Sequence, residues 1–127
     1  MKNARAFAAL CLLCAVLLSG CGEKGGHIKY YAEPTEEFTP AVISGEADLT
    51  AAQARTVRRV IRHVKEWYDD NAVNRLSFYF DGEFTLSGSD TIYYFSCDQR
   101  VIYYDHYYGS ISEKDVSSLQ KLLGQID

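Results

Sequence analysis

Apolar residues recur every three or four positions in two segments, and this spacing predicts two amphipathic helices. The first helix is predicted to begin at Ala51, because Thr50 and Gln53 have the spacing of a capping box. Its apolar stripe comprises Val57, Val60, Ile61, Val64, Trp67 and Tyr68. In the second helix, Ser112 and Asp115 resemble a capping pair. Its stripe comprises Val116, Leu119, Leu122, Leu123 and Ile126. Each stripe must be buried against another part of the protein.

Four short segments between the helices are rich in β-branched and aromatic residues and predict strands. Residues 75–80 and 84–88 flank Asp81 and Gly82, a hairpin signal. We expect a three-residue loop that includes Glu83, because it pairs Phe80 with Phe84 and keeps the apolar residues on one face. Residues 91–97 and 100–105 predict a second hairpin, which pairs Phe95 with Ile102 and Tyr94 with Tyr103.

These elements predict an α+β domain over residues 49–127: a helix, a four-stranded antiparallel β meander and a C-terminal helix, with the helices packed on one face of the sheet. Residues 21–48 carry Pro34, Pro40, several acidic residues and only scattered apolar ones. This composition predicts a flexible tether. Residues 27–31 are the part of it that could add a short edge strand.

The first twenty residues have the anatomy of a secretory signal. Lys2 and Arg5 precede an entirely apolar run over residues 6–18, followed by small residues. A helix that spans a bilayer needs about 20 apolar residues, so this run is short for a permanent span. The sequence Leu18-Ser19-Gly20-Cys21 resembles the lipobox of bacterial lipoproteins, in which an aliphatic residue and two small residues precede a cysteine.

This resemblance implies that residues 1–20 are a signal peptide and that Cys21 becomes the mature N-terminus. The Cys21 thiol would carry a diacylglycerol group with palmitate-like chains and anchor the protein in the cell membrane or the outer membrane. The domain would then be extracytoplasmic. In a two-membrane bacterium, Gly22 rather than aspartate after the cysteine favours the outer membrane. The alternative is an ordinary cleaved signal in which Cys21 has no role.

Cleavage before Cys21 changes both the charge and the cysteine count. It removes Lys2 and Arg5 and lowers the formal charge from −4 to −6. Such an acidic protein is a poor candidate for nucleic-acid binding. Cys11 and Cys14 leave with the signal, so Cys97 is the one free thiol and no disulfide within the chain is expected.

Two surfaces are candidates for binding. The polar side of the first helix carries Lys65 and four arginines: Arg55, Arg58, Arg59 and Arg62. This basic face could contact anionic lipid headgroups, a cell-wall polyanion or an acidic partner, or it could simply be solvated. A row of tyrosines on the sheet face away from the helices could bind peptides, glycans or proteins. The expected row is Tyr79, Tyr94 and Tyr103, with Tyr107 and Tyr108 at the adjoining loop. The alternative is that tyrosine is simply a good strand former.

Motifs for catalysis or metal binding are scarce. The three histidines are far apart in the chain and have no metal-ligand spacing, so no cofactor is expected. The leading hypothesis is a membrane-anchored extracytoplasmic lipoprotein whose domain binds an unknown protein or cell-wall partner. One alternative is a small envelope hydrolase or redox enzyme that uses Cys97, Asp105 and His106. Another is a structural envelope component.

Overall fold

The computed structural model describes residues 25–36, 38–70 and 77–126, so the signal peptide, the lipobox with Cys21 and residue Leu76 lie outside it. The described residues form two helices and one seven-stranded sheet. The helices are α1 (Ala51–His63) and α2 (Glu113–Leu123). The strands are β1 (Gly26–Glu36), β2 (Ile43–Leu49), β3 (Tyr68–Asp69), β4 (Tyr79–Leu86), β5 (Tyr93–Ser96), β6 (Val101–Tyr104) and β7 (Tyr107–Ser110).

The sheet is antiparallel throughout, with the strand order β2-β1-β4-β5-β6-β7-β3. The prediction of a four-stranded meander with helices on one face is therefore wrong. Four strands were missing from it: β1 and β2 at one side of the sheet, and β7 and the short β3 at the other. The strands comprise 40 residues and the helices 24, so the sheet is the larger part of the regular structure.

The first helix confirms its predicted start but ends earlier than expected. The Thr50 hydroxyl accepts a hydrogen bond from the Gln53 N–H, and the Gln53 side chain accepts one from the Thr50 N–H. Val64 is already extended at the C-terminal end. The chain then turns so that Trp67 packs edge-on against Tyr104, with ring centroids 4.9 Å apart. The predicted stripe through Tyr68 therefore combines a helical part with an extended part.

The second helix begins after Ser112, whose hydroxyl accepts a hydrogen bond from the Asp115 N–H as predicted. The two helices run antiparallel, since Gln53 near the start of α1 contacts Gln125 just beyond α2, and His63 at the end of α1 contacts Asp115. Both helices share one apolar core with the sheet. Its fully buried members include Ile28, Leu49, Val57, Val60, Phe84, Phe95, Ile102 and Leu119.

Residues 26–36 and 43–49 form strands, which corrects the prediction of a flexible tether over residues 21–48. β1 lies between β2 and β4 and is hydrogen-bonded to both. Its Ile28 is 1% exposed and belongs to the core. A strand is held by backbone hydrogen bonds, which a polar composition does not forbid. His27 also lies between Glu46 and Asp48 of β2, so charged residues that suggested a linker instead join two strands.

The expected hairpin at Asp81 and Gly82 is also wrong, because β4 runs through both residues without turning. Gly82 pairs with Tyr30 on one side and with Phe95 on the other. A Cβ atom at Gly82 would lie 2.4 Å from the Lys29 carbonyl oxygen and 3.0 Å from the Phe95 ring. Glycine is needed here for close packing inside the sheet and does not mark a turn.

The predicted hairpin between β5 and β6 is confirmed, with Tyr94 opposite Tyr103 and Phe95 opposite Ile102. A further hairpin follows it. Asp105 and His106 have positive φ values of 44° and 68° and connect β6 to β7. Two such residues form the tight turn that suits adjacent antiparallel strands. His106 therefore lies in a hairpin turn and not in the loop that was expected after the last strand.

Candidate functional site

The sheet face away from the helices, here called the outer face, carries its own aromatic cluster. Phe78, Phe80, Val101 and Tyr103 are buried in it, and Tyr31, Tyr94 and Tyr108 pack against them. β-strand alternation places Tyr94 and Tyr103 on this face, while Tyr93 and Tyr104 belong to the opposite one. The centroid of the Phe80 ring lies 5.5 Å from that of Tyr94 and 5.7 Å from that of Tyr103. Part of the outer face is therefore a second small core.

The predicted row of tyrosines is not a continuous exposed surface. Tyr103 is only 3% exposed, and its hydroxyl donates to the Asp70 carboxylate at 3.0 Å. Tyr94 and Tyr108 are half-buried. Tyr79 and Tyr107 are exposed, at 49% and 40%. The Tyr107 ring packs beside Tyr104 and so belongs to a different part of the surface. Of the five predicted residues, Tyr94 and an edge of Tyr103 line a common cavity.

That cavity, here called the aromatic depression, has a volume of about 440 Å³ and lies over the β5–β6 hairpin. Its apolar wall consists of Phe38, Ile92 and Tyr94, and its polar rim of Asp90, Asp105 and His106. Phe38 is 74% exposed and Ile92 is 39% exposed. Large apolar side chains left open beside a concave surface are typical of binding sites.

Phe38 belongs to residues 38–42, which lead into β2 along the outer face. Its φ is 62°, a left-handed conformation that is unfavourable for a residue with a bulky side chain. Its ring centroid lies 6.1 Å from that of His106. Residues 38–41 also cover a smaller cavity of about 230 Å³, which shares Phe38 and Tyr94 with the depression. Phe38 thus separates two cavities on one aromatic face.

Burial and nearby carboxylates favour the protonated hydroxyls of two tyrosines on this face, Tyr31 and Tyr94. Glu83 accepts a hydrogen bond from the Tyr31 hydroxyl at 2.8 Å. Burial, and then this bond and the Glu83 charge, raise the pKa of Tyr31. Burial first and the Glu83 charge second also raise the pKa of Tyr94. The site therefore presents neutral rings with carboxylates around them.

The basic face of α1 is present and open to solvent. Arg55, Arg58, Arg59 and Arg62 on the helix are all exposed, and so is Lys65, which lies just beyond its end and not on the helix as predicted. None of them forms an ion pair within the part of the chain that the structure describes. The helix contains no acidic residue. The side chains of these cations are therefore exposed on one side of the domain.

Cys97 is not brought together with the residues of the enzyme alternative. It precedes β6, whereas Asp105 and His106 follow that strand, and four strand residues span about 13 Å. Burial, and then the neighbouring Asp81 carboxylate, raise the pKa of the Cys97 thiol to about 12. The thiolate is the reactive form of cysteine, so this environment opposes nucleophilic chemistry. Cys97 lines a separate cavity of about 560 Å³ with Asp81 and Tyr31.

Among the described residues, no cluster of His, Cys, Asp or Glu could hold a metal ion. No helix among them has the length and apolar character needed to cross a membrane. Cys21 lies outside this part of the chain, so lipid attachment there stays a prediction.

The sequence did not indicate the residues that form the apolar side of the depression, chiefly Phe38 and Ile92. Phe38 stands in a proline-containing stretch that resembled a linker, and no local pattern indicates that this stretch folds over the sheet. Ile92 was placed in a strand with no indication of its exposure. Comparison of the chain with protein-family models, with curated proteins and with solved structures found no match.

Proposed function

We propose that this chain is an extracytoplasmic lipoprotein, anchored in a membrane through lipid on Cys21, whose domain binds a protein partner in the aromatic depression. The observation that carries the binding proposal is the open cavity walled by Phe38, Ile92 and Tyr94. The anchor rests on the lipobox Leu18-Ser19-Gly20-Cys21. A diacylglycerol group supplies two acyl chains, which hold a protein on a membrane far more stably than one.

The depression suits a partner because its rings are already held in place. The Tyr94 ring packs against Phe80, so little conformational freedom is lost when a partner contacts it. Phe38 holds an exposed ring at the wall of the depression in a strained backbone conformation. Strained residues cluster at functional sites. The carboxylates of Asp90 and Asp105 at the rim can accept hydrogen bonds and so orient the partner.

The anchor is tested by metabolic labelling of the full chain with an alkyne fatty acid in bacterial cells. Wild-type protein should incorporate the label, and Cys21→Ala should lose it. Cys97→Ala is the matched control and should stay labelled, because it removes a thiol that is not in the lipobox. An unlabelled wild-type chain, or label that persists in Cys21→Ala, contradicts the anchor.

The binding site is tested by photo-crosslinking in intact cells, with a photoreactive residue placed at Ile92. The control position is Ser117, which is exposed on α2. We expect a defined protein adduct from position 92, absent from position 117 and lost in Phe38→Ala. Since Phe38 is 74% exposed, this substitution should not unfold the domain. Equal adducts from both positions, or a cell-wall adduct in place of a protein one, would show that the proposed partner is wrong.

A further inference from the structure

We infer that the basic face of α1 docks on the anionic phospholipid headgroups of the membrane that holds the anchor, and so turns the aromatic depression away from the bilayer. This inference rests on the proposed lipid at Cys21. It adds an orientation and a second, electrostatic contact with the same membrane.

The first observation is how soon after Cys21 the folded domain begins. Gly25 is buried, its N–H donates to the Leu49 carbonyl at 2.7 Å, and its own carbonyl accepts from Ser87 at 3.0 Å. The four steps from Cys21 to Gly25 span at most about 14 Å when fully extended. A domain held on so short a segment cannot stand away from the membrane surface. One side of it must lie close to the headgroups.

The second observation is which side that is. A Cβ atom on Gly25 would lie 2.4 Å from the Ala54 Cβ and 2.8 Å from the Thr50 carbonyl oxygen, so the chain enters the domain beside the first turn of α1. The thirteen residues of this helix extend about 20 Å from that point. Arg55 lies in the first turns, and Arg62 in the last. The attachment point therefore lies at the N-terminal end of α1, the helix whose exposed side carries the four arginines.

The third observation is the separation of charge between the two sides. The helix side carries four arginines on α1 and Lys114 and Lys121 on α2, against Glu113 and the buried Asp115 of α2. The outer face carries Glu83 and the rim residues Asp90 and Asp105. An anionic surface attracts the first side and repels the second. Each arginine near such a surface changes the docked-to-undocked ratio about fivefold.

The test uses the lipidated full chain, purified and reconstituted into vesicles of phosphatidylcholine alone or with about one third phosphatidylglycerol. A fluorophore is attached to a cysteine introduced at Ala52 on α1 or at Thr39 on the outer side, in a Cys97→Ser background. Both positions are exposed. A quencher on the lipid headgroups then reports how close each position lies to the membrane.

With phosphatidylglycerol present, position 52 should be quenched more strongly than position 39, and 1 M salt should reduce the difference because it screens charges beyond about 3 Å. Neutralising Arg55, Arg58 and Arg62 to glutamine should lower the docked-to-undocked ratio about 100-fold. For a change of one charge, Arg58→Gln should act more strongly than the matched control Lys29→Gln. Equal quenching at both positions, or equal effects of these two substitutions, overturns the inference. Vesicle association itself reports the anchor separately, so its loss would refute the lipoprotein proposal instead.

Discussion

The contact between His63 and Asp115 joins the end of α1 to the start of α2. The Nδ1 atom of His63 lies 3.0 Å from Oδ2 and 3.2 Å from Oδ1 of Asp115. The side chain of His63 is 48% exposed, whereas that of Asp115 is 3% exposed. The two partners therefore depend on each other unequally, and removal of one should not cost the same free energy as removal of the other.

His63→Ala should be the more damaging change. It leaves a buried carboxylate without its side-chain donor, which costs about 2 to 3 kcal/mol. Asp115→Asn should cost about 1 kcal/mol or less, because the amide can still hydrogen-bond with the ring and an exposed histidine is solvated. The double variant should have a free energy of unfolding close to that of Asp115→Asn, since a neutral amide is less costly to leave unpaired than a carboxylate.

The measurement is urea unfolding of the three variants beside the wild-type protein. With a slope of about 1 kcal/mol per molar urea for a domain of this size, His63→Ala should lower the midpoint by about 2 to 3 M. Asp115→Asn should lower it by less than about 1 M. His106→Asn is the control, because this histidine is exposed in a turn and asparagine tolerates its positive φ. The reasoning is refuted if His63→Ala costs no more than Asp115→Asn, or if the double variant is as unstable as His63→Ala.

Three further predictions concern the sheet and the free thiol. Gly82→Ala should destabilise the domain by about 2 kcal/mol or more in the same assay, because its Cβ would meet the Lys29 backbone. Gly124→Ala, where a Cβ has ordinary contacts, should change little. Hydrogen bonds to Glu46 and then Asp48 raise the pKa of His27 above 6.5. The stability that the His27 contacts contribute should be fully present below pH 6.5 and lost as the pH rises through the raised pKa. His27→Gln should remove this pH dependence of stability in unfolding curves at pH 6 and pH 9. Cys97 should react with a thiol reagent at pH 8 on the order of 1000-fold more slowly in the folded protein than in the unfolded chain, because its pKa is about 12; similar rates would show that the thiol is not held in its protonated form.

The elements that were predicted correctly depend on residues close together in the chain. The capping box at Thr50 and Gln53 acts over three residues, and so does the cap at Ser112. The pairing of Phe95 with Ile102 spans a four-residue turn. In each case the interacting groups are neighbours in sequence, so their pattern is visible before the tertiary structure forms.

The errors share a different origin, which is pairing between distant segments. β1 pairs with β4, 43 to 60 residues away in the chain. The local pattern allowed only a short edge strand over residues 27–31 and does not show that His27 and Lys29 lie between two other strands. Gly82 follows aspartate and resembles a turn, yet it is a point where Phe95 and the Lys29 backbone approach closely. Local composition therefore led to the prediction of a tether where β1 and β2 form, and of a turn in the interior of β4.

Some features of the candidate site could likewise be predicted from local patterns, and others could not. Tyr94 could be placed on the outer face from strand alternation, and the basic face of α1 from helical periodicity. Neither the burial of Tyr103 nor the position of Phe38 could be predicted, because both depend on chain segments that reach the outer face from elsewhere in the sequence.

Four features could be derived from local sequence patterns, because each follows from the spacing of residues along a helix or a strand. They are the helix caps, the apolar stripes, the register of β5 with β6 and the cationic side of α1. The folded structure was needed to show that β1 is an inner strand, that Gly25 ties the chain to the start of α1, and that Phe38 stands over an aromatic cavity. These features arise from backbone hydrogen bonds and side-chain contacts between segments far apart in the chain. Such contacts leave no periodic signal in either segment alone.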